Sequence, residues 1–490
     1  MKSYLRYCVI ILNTIFIKNI AFAQSANEAL RYSETYSINS ARNIGVGGAM
    51  YGLGGDISVA SVNPAGLAQY KNSELQLSLG LINSSTDSRY FGNIKNDKKT
   101  NFNIPTVGLV LVSKRNENKN WRNFAFGISM NRTNDFNKKV NYSGYNKTES
   151  ITKRWLENVN GLPENTISDS SSAFAFEEGL ANEAYLIGEI SPSTWGAVVH
   201  DNVQQSNQIT SKGAMNDINF SFASNYKEKI FLGIGLQINT LKYDETNTYS
   251  EQDINNLNTQ FTSLTYTKFL KTTGAGFGAN LGILTKPSKN IRIGAFAKTP
   301  TIYSLEDTFS ATMNAKFEGF DERNVKSTQG KFKYSLISPW RAGASVAGIF
   351  DDYGFISGGI QYINYNAARY DFSDALDYED TLNTDIKKYA NSGLIFNIGA
   401  EAKYEIFRIR AGYSLMPHSI GKSYENTSKN IQTFSFGLGL REENWYIDLA
   451  ASFTKRDAVY FPYNTFAGAN YYATSTSKNT FFALTLGLKL

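Results

Sequence analysis

Few residues in this chain have the types and spacing needed to make or break bonds. The 490 residues hold two histidines, His200 and His418, and one cysteine, Cys8. No serine sits in a GxSxG context, so the activated nucleophile and positioned base of a hydrolase are absent from the pattern. Two isolated histidines give no zinc-ligand spacing. The clusters "GVGG" and "GLGG", between Ala41 and Gly55, are not followed by the Lys-Ser/Thr of a phosphate loop. We therefore expect no enzyme, no metal and no cofactor. Recognition chemistry of two kinds remains. Arg408 and Arg410, two apart in "FRIRAGY", share one strand face, and a guanidinium can grip a carboxylate in bidentate fashion. The stretch "SSSAFAFEEGLANEAYLIGEI" carries Phe174, Phe176, Leu180, Tyr185, Leu186 and Ile187, which add apolar surface to the longest connection. Within it Phe176, Leu180, Ala184 and Ile187 fall on one helical face, with Ser172 as cap and Glu177 and Glu178 in the first turn. The competing expectation is a helix that merely packs onto its own scaffold.

The elements that must position these groups are strands. In "NTFFALTLGLKL", Phe482, Leu484, Leu486, Leu488 and Leu490 take one face, and Ala483, Thr485, Gly487 and Lys489 the other. Side chains alternate across a strand, so each such segment separates an apolar face from a polar or small one. The pattern recurs at Leu75–Leu81, Phe124–Met130, Ile230–Ile238 and Phe434–Leu440. Aromatic content is 14% at a mean hydropathy of −0.33, which suits strands lying between two unlike environments.

The first 23 residues read as a secretory leader: Lys2 and Arg6, an apolar stretch from Val9 to Ile17, and "AFA" before Gln24. Cys8 lies inside it, so the mature chain is expected to lack thiols and disulfides. Removing the leader's three basic residues from 49 leaves 46 against 43 acidic, which gives no basis for binding nucleic acid. No later run reaches the roughly 20 apolar residues of a membrane helix, whereas barrel strands need only about 9–11.

Strand number follows from parity. Short polar turns stand at 113–120, 226–229, 286–290, 351–354, 405–407 and 441–444, with long connections between them. Short turns face the periplasm in outer-membrane barrels. Six such turns with both termini on that side require seven hairpins, hence 14 strands. The expectation is an all-β, 14-stranded antiparallel transmembrane barrel over residues 72–490, with its longest outer loop at 133–213. Thr299-Pro300 interrupts 289–316, which parity makes one kinked strand and not two.

Residues 24–71 precede the first strand. They are rich in glycine and end in "SVNPAGLAQY", where Asn63-Pro64 fixes a turn. We read them as a hatch inside the lumen; a loose periplasmic tail is the alternative. Arg292, Arg341, Glu401, Lys403, Arg408, Arg410 and Asp448 fall on the lumen face, mostly to pair with one another or with the hatch.

The segment Ser40 to Tyr70, "SARNIGVGGAMYGLGGDISVASVNPAGLAQY", resembles the N-terminal hatch of the FadL/TodX family of outer-membrane transporters for hydrophobic compounds. Asn63, Pro64 and Ala65 match that family's Asn-Pro-Ala motif. Softer matches are "IRIGAFAKTPTIYSLEDTF", "SPWRAGASVAGIF" and "RIRAGYSLMP". The resemblance implies capture of a hydrophobic ligand by outer loops and sideways release into the membrane past the hatch, with long-chain fatty acids or similar lipophiles as cargo. It further implies hydrophobic small molecules and outer-membrane lipid as partners, and a monomer. The alternative is a non-transporting barrel that anchors a surface or secretion complex. An uninterrupted wall beside the hatch would favour that anchor.

Overall fold

The computed structural model describes residues 24–36, 38–114, 119–421, 428, 430–466 and 471–490; the expected leader lies outside them. Fourteen antiparallel strands close into one barrel. In chain order they are β1 (Glu74–Tyr90), β2 (Asn93–Lys114), β3 (Trp121–Asp135 and Lys138–Asn146), β4 (Val203–Tyr226), β5 (Ile230–Gln252) and β6 (Phe261–Thr285). There follow β7 (Ile291–Lys298 and Ile302–Phe317), β8 (Arg323–Lys326, Gly330–Ile337 and Arg341–Phe350) and β9 (Gly354–Asn364 and Arg369–Asp371). The last five are β10 (Ser392–Tyr404), β11 (Phe407–Pro417), β12 (Asn430–Arg441), β13 (Trp445–Tyr460) and β14 (Ala473–Lys489). The ring closes where β1 pairs with β14, from Glu74 opposite Lys489 to Arg89 opposite Thr474.

The alternation explains the closure. Leu75, Leu77 and Leu81 face outward and are exposed, while Glu74, Gln76 and Ser78 face the lumen and are buried. An outward apolar belt is stable only against lipid. The kink foreseen at Thr299-Pro300 is present: both pieces of β7 pair with β6, Lys298 opposite Asn280 and Ile302 opposite Phe277.

The outer connections differ from expectation. Residues 84–90 and 93–101 are strand, joined by a two-residue turn at Phe91-Gly92, and the long connection shrinks to 147–202. β4, β5 and β6 run 24, 23 and 25 residues. At about 3.4 Å per residue and a tilt near 40°, such a strand rises roughly 60 Å, over twice the roughly 25 Å apolar band. Outside the band both faces of a strand tolerate polar residues, so hydropathy loses the strand there.

Residues 24–36 and 38–70 lie in the lumen. They form α1 (Ala26–Ser33), α2 (Ala41–Gly45) and two 3₁₀ turns, Ile57–Ser61 and Pro64–Gln69. Ser25 and Glu28 make a reciprocal capping box on α1. Asn63 caps the second turn by accepting from the Ala65 amide at 3.2 Å, and Pro64 takes the first helical position, where its missing N–H is not needed. The Asn63 carboxamide also donates to the Tyr51 carbonyl at 2.7 Å and to the Ile283 carbonyl of β6 at 3.3 Å. The motif thus folds the hatch back on itself and fastens it to the wall. Gly233 and Gly282 make room: a β-carbon on Gly233 would overlap Pro64 and Ala65, and one on Gly282 would overlap Asn63.

Candidate ligand path

A cavity of about 620 Å³ lies in the lumen between hatch and wall. Its apolar lining includes Ile44, Ile82, Ile431, Phe481 and Phe296, whose ring packs edge-on against the hatch Tyr51 at 5.3 Å. Its charged lining comprises six cations, Arg31, Arg132, Lys138, Lys298, Arg341 and Arg456, against four acids, Glu34, Asp135, Asp217 and Glu245. Several are paired: Arg456 with Glu34 at 2.8 Å, Arg132 with Asp135 at 3.0 Å, Lys298 with Asp217 at 3.5 Å. Arg341 instead donates to Thr35 Oγ1 at 2.5 Å and to the Ser33 carbonyl at 3.0 Å, both at the end of α1. Among the described residues no carboxylate lies within 4.0 Å of it. Lys138 donates to the Tyr460 hydroxyl at 2.7 Å.

Along one side the cavity is lined by residues 131–138 of β3. There the main-chain ladder of the wall is interrupted. The ladder between β2 and β3 runs from Lys114 opposite Asn123 to Thr106 opposite Asn131 and stops. Pro105 follows Thr106 on the outward side and has no N–H to give. The β1–β2 register slips at the same place, Ser78 facing Thr106 but Gly80 facing Asn103. β3 itself breaks at Phe136-Asn137. Above this level β2 meets β3 through side chains. Asn101 donates to Asp135 at 3.0 Å, and Asp97 accepts from the Asn141 amide at 2.7 Å and its carboxamide at 2.5 Å. Phe136, at the break, packs edge-on with Tyr32 of α1 at 6.0 Å and with Tyr243 at 5.2 Å.

The outer loop at 147–202 folds into α3 (Thr152–Val159), α4 (Glu164–Ile167), a 3₁₀ turn (Ala173–Phe176), α5 (Glu178–Glu183) and a hairpin of Ile187–Ser191 with Thr194–Ala197. The single helical face expected for Phe176, Leu180, Ala184 and Ile187 does not form. Backbone turns at Glu177 (φ −138°) and Tyr185 (φ +62°) divide the stretch into three elements. Ser172 caps the 3₁₀ turn, accepting from the Phe174 amide. Leu180, Leu186 and Ile187 are buried in a core with Trp155, Trp195 and the barrel residues Tyr249, Tyr266 and Met313; Phe174 packs at its edge. Phe176 meets Phe309 at 4.8 Å. Tyr185 is 56% exposed, beneath the Arg323 guanidinium at 4.2 Å. It borders an outer groove of about 850 Å³ with Ile187, Ile190 and Val198.

Arg408 and Arg410 do not line the lumen cavity. Arg410 is fully enclosed beneath the hatch, bound to Glu401 at 2.6 Å and Asp448 at 2.6 Å. The hatch residue Arg42 reaches the same Glu401 at 3.2 Å, and Arg441 reaches Asp448 at 3.0 Å. Arg408 donates to the Glu405 and Phe407 carbonyls at the periplasmic turn. A headgroup role does not fit either position, because their donors face wall and hatch groups. Of the four cavity arginines, Arg341, which the sequence placed only among lumen charges, is the one with no carboxylate partner among the described residues.

The same architecture is known. A FadL homologue of Pseudomonas aeruginosa superposes with a TM-score of 0.57 at 12% identity, covering 93% of this chain and 99% of that one. The fold is that of the FadL family. The Pseudomonas putida toluene transporter TodX shares this FadL-type fold at a TM-score of 0.51 and 12% identity, over 93% of this chain and 98% of that one. No family model and no curated protein matches the sequence. With its outward apolar belt, the FadL-type barrel is a multi-pass protein of the outer membrane.

Proposed function

We propose that the protein passes hydrophobic small molecules across the outer membrane and releases them sideways into it. The observation that carries this reading is the lumen cavity bordered by the broken part of β3, where the main-chain ladder to β2 has ended. A ligand held there faces side-chain bridges, which part at far lower cost than a continuous ladder. Entry is from the outer groove beside Tyr185. The excess of cations in the cavity favours an amphiphile with an anionic head, such as a long-chain fatty acid, its chain on Ile82, Ile431 and Phe481 and its carboxylate at Arg341. An anchoring barrel has no use for a wall that stops pairing beside its own cavity.

The test bridges the break. Asn101→Cys with Asp135→Cys, joined by a short bismaleimide, is expected to leave ligand binding intact and to abolish delivery of a fluorescent fatty acid into surrounding bilayer. Delivery at the uncross-linked rate would refute sideways release.

A further inference from the structure

Strand register sets out a row of outward side chains across the seam where the barrel closes. Lys455 on β13 stands opposite Lys478 on β14, Lys478 opposite Ser85 on β1, and Ser85 opposite Lys98 on β2. Neighbouring strands are about 4.8 Å apart, so the three lysines root within roughly 15 Å of one another. One level toward the membrane lie Phe453, Thr480, Asn83 and Thr100; at the next lie Ala451, Phe482, Leu81 and Phe102. Phe453, Phe482, Leu81 and Phe102 are 46, 48, 41 and 63% exposed. The lysines therefore stand roughly 10 Å above the upper edge of the apolar belt.

Like charges directly opposite each other in a sheet repel. Here the relief within the chain is slight. Lys478 has Asp87 at 3.5 Å, but that pair is largely in solvent. Among the described residues no carboxylate lies within 4.0 Å of Lys98 or Lys455. Apolar rings below and ammonium groups with little compensation above, at the height where acyl chains give way to headgroups, match one kind of molecule. We propose that this face binds a phosphorylated glycolipid of the outer leaflet, with its phosphates on Lys98, Lys455 and Lys478 and its acyl chains on the rings beneath. Lysine serves phosphate as a point charge, without needing the fixed fork of arginine.

The experiment uses the full mature barrel, delipidated in detergent, and native mass spectrometry with diphosphorylated lipid A, its dephosphorylated form and inorganic phosphate. The parent is expected to retain the diphosphorylated lipid at least tenfold better than the dephosphorylated one. Lys98→Gln, Lys455→Gln and Lys478→Gln together should lower that retention at least tenfold, and arginine at all three positions should restore it. A control triple, Lys242→Gln, Lys271→Gln and Lys331→Gln, alters outward lysines elsewhere and should keep parental retention; heat-modifiable gel migration checks folding of each. Equal retention by the first triple overturns the proposal, as does equal loss in the control. Displacement of the lipid by inorganic phosphate at matching concentration also overturns it, reducing the site to one for a free anion.

Discussion

Gly282 of β6 lies directly behind the Asn63 carboxamide, so close that a β-carbon on the glycine would occupy the place of Asn63 Oδ1. Gly282→Val should therefore push the Asn-Pro-Ala turn off the wall while leaving the strand paired. We expect a marked rise in single-channel conductance to small ions. Conductance equal to the parent would mean that the hatch is not held at this contact.

Arg410 joins Glu401 and Asp448 with no exposure to solvent. Breaking a buried ion network by removing one partner costs roughly 3–5 kcal/mol. Arg410→Gln should lower the melting temperature and weaken binding of a fatty acid and of its neutral alcohol to the same degree. Selective loss of the acid would return Arg410 to the ligand. The opposite selectivity is expected at the cavity: Arg341→Gln should weaken the acid about tenfold and spare the alcohol, since a charged hydrogen bond contributes about 1.5–3 kcal/mol.

Glu28 holds α1 in the lumen beside Asp307, which accepts from Gln24, Thr272 and Tyr334. Burial first, and then the Asp307 charge, push Glu28 up to about 8, with Arg31 opposing and Glu245 adding to the rise. Its folded-state value lies above the ordinary 4.5, so α1 docking is strongest below pH 4.5 and weakens as the pH climbs through 8. Amide exchange in residues 26–33, corrected for its intrinsic rate, should be at least tenfold faster at pH 8.5 than at pH 5.5. Glu28→Gln should flatten that dependence. A slope unchanged in the variant would assign it to another group.

The proposed path takes Tyr185 of the loop for ligand and leaves Leu180 to the loop's own core. Leu180 is 3% exposed and Tyr185 56%. Leu180→Ser should cost about 2–5 kcal/mol and open the loop to protease. Tyr185→Ser should leave protease resistance unchanged while slowing ligand capture. Equal capture by the Tyr185 variant would remove the groove from the path.

Much of this barrel is written in its strands. The alternation around Leu75–Leu81 or Phe434–Leu440, together with six short turns, is enough to count the strands, because lipid on one side and hatch on the other force unlike faces. The pattern fails where that contrast disappears. Ser84–Tyr90 and Lys95–Thr100 are strand in water, and nothing in their polarity separates them from loop. The break at Phe136-Asn137 has no glycine or proline to mark it. Pro105 was visible, yet an isolated proline does not say on which side pairing ends. Arg410 was legible as a lumen charge, but its partners come from strands far apart in sequence, as does the hatch contact that separates it from the cavity. The loop stretch at 173–187 reads as helix because its apolar spacing ignores the turns at Glu177 and Tyr185, which tertiary packing imposes.

The pairing of Glu74 with Lys489 has a consequence for how the molecule is made. The first strand to leave the export machinery must wait for the last, with nearly the whole chain between them, before the ring can shut. Until then β1 and the newest strand both present unpaired main-chain edges, the kind of surface that sticks to other chains. The hatch must already be inside when the seam closes, because Asn63 is wedged against wall backbone that a finished ring would shield. Closure is therefore the late step, slow for so non-local a pairing, while the hairpins between consecutive strands can form before it. A chain cut short before β14 keeps the pairings of its consecutive strands but cannot shut the ring, and both its outer edges stay open.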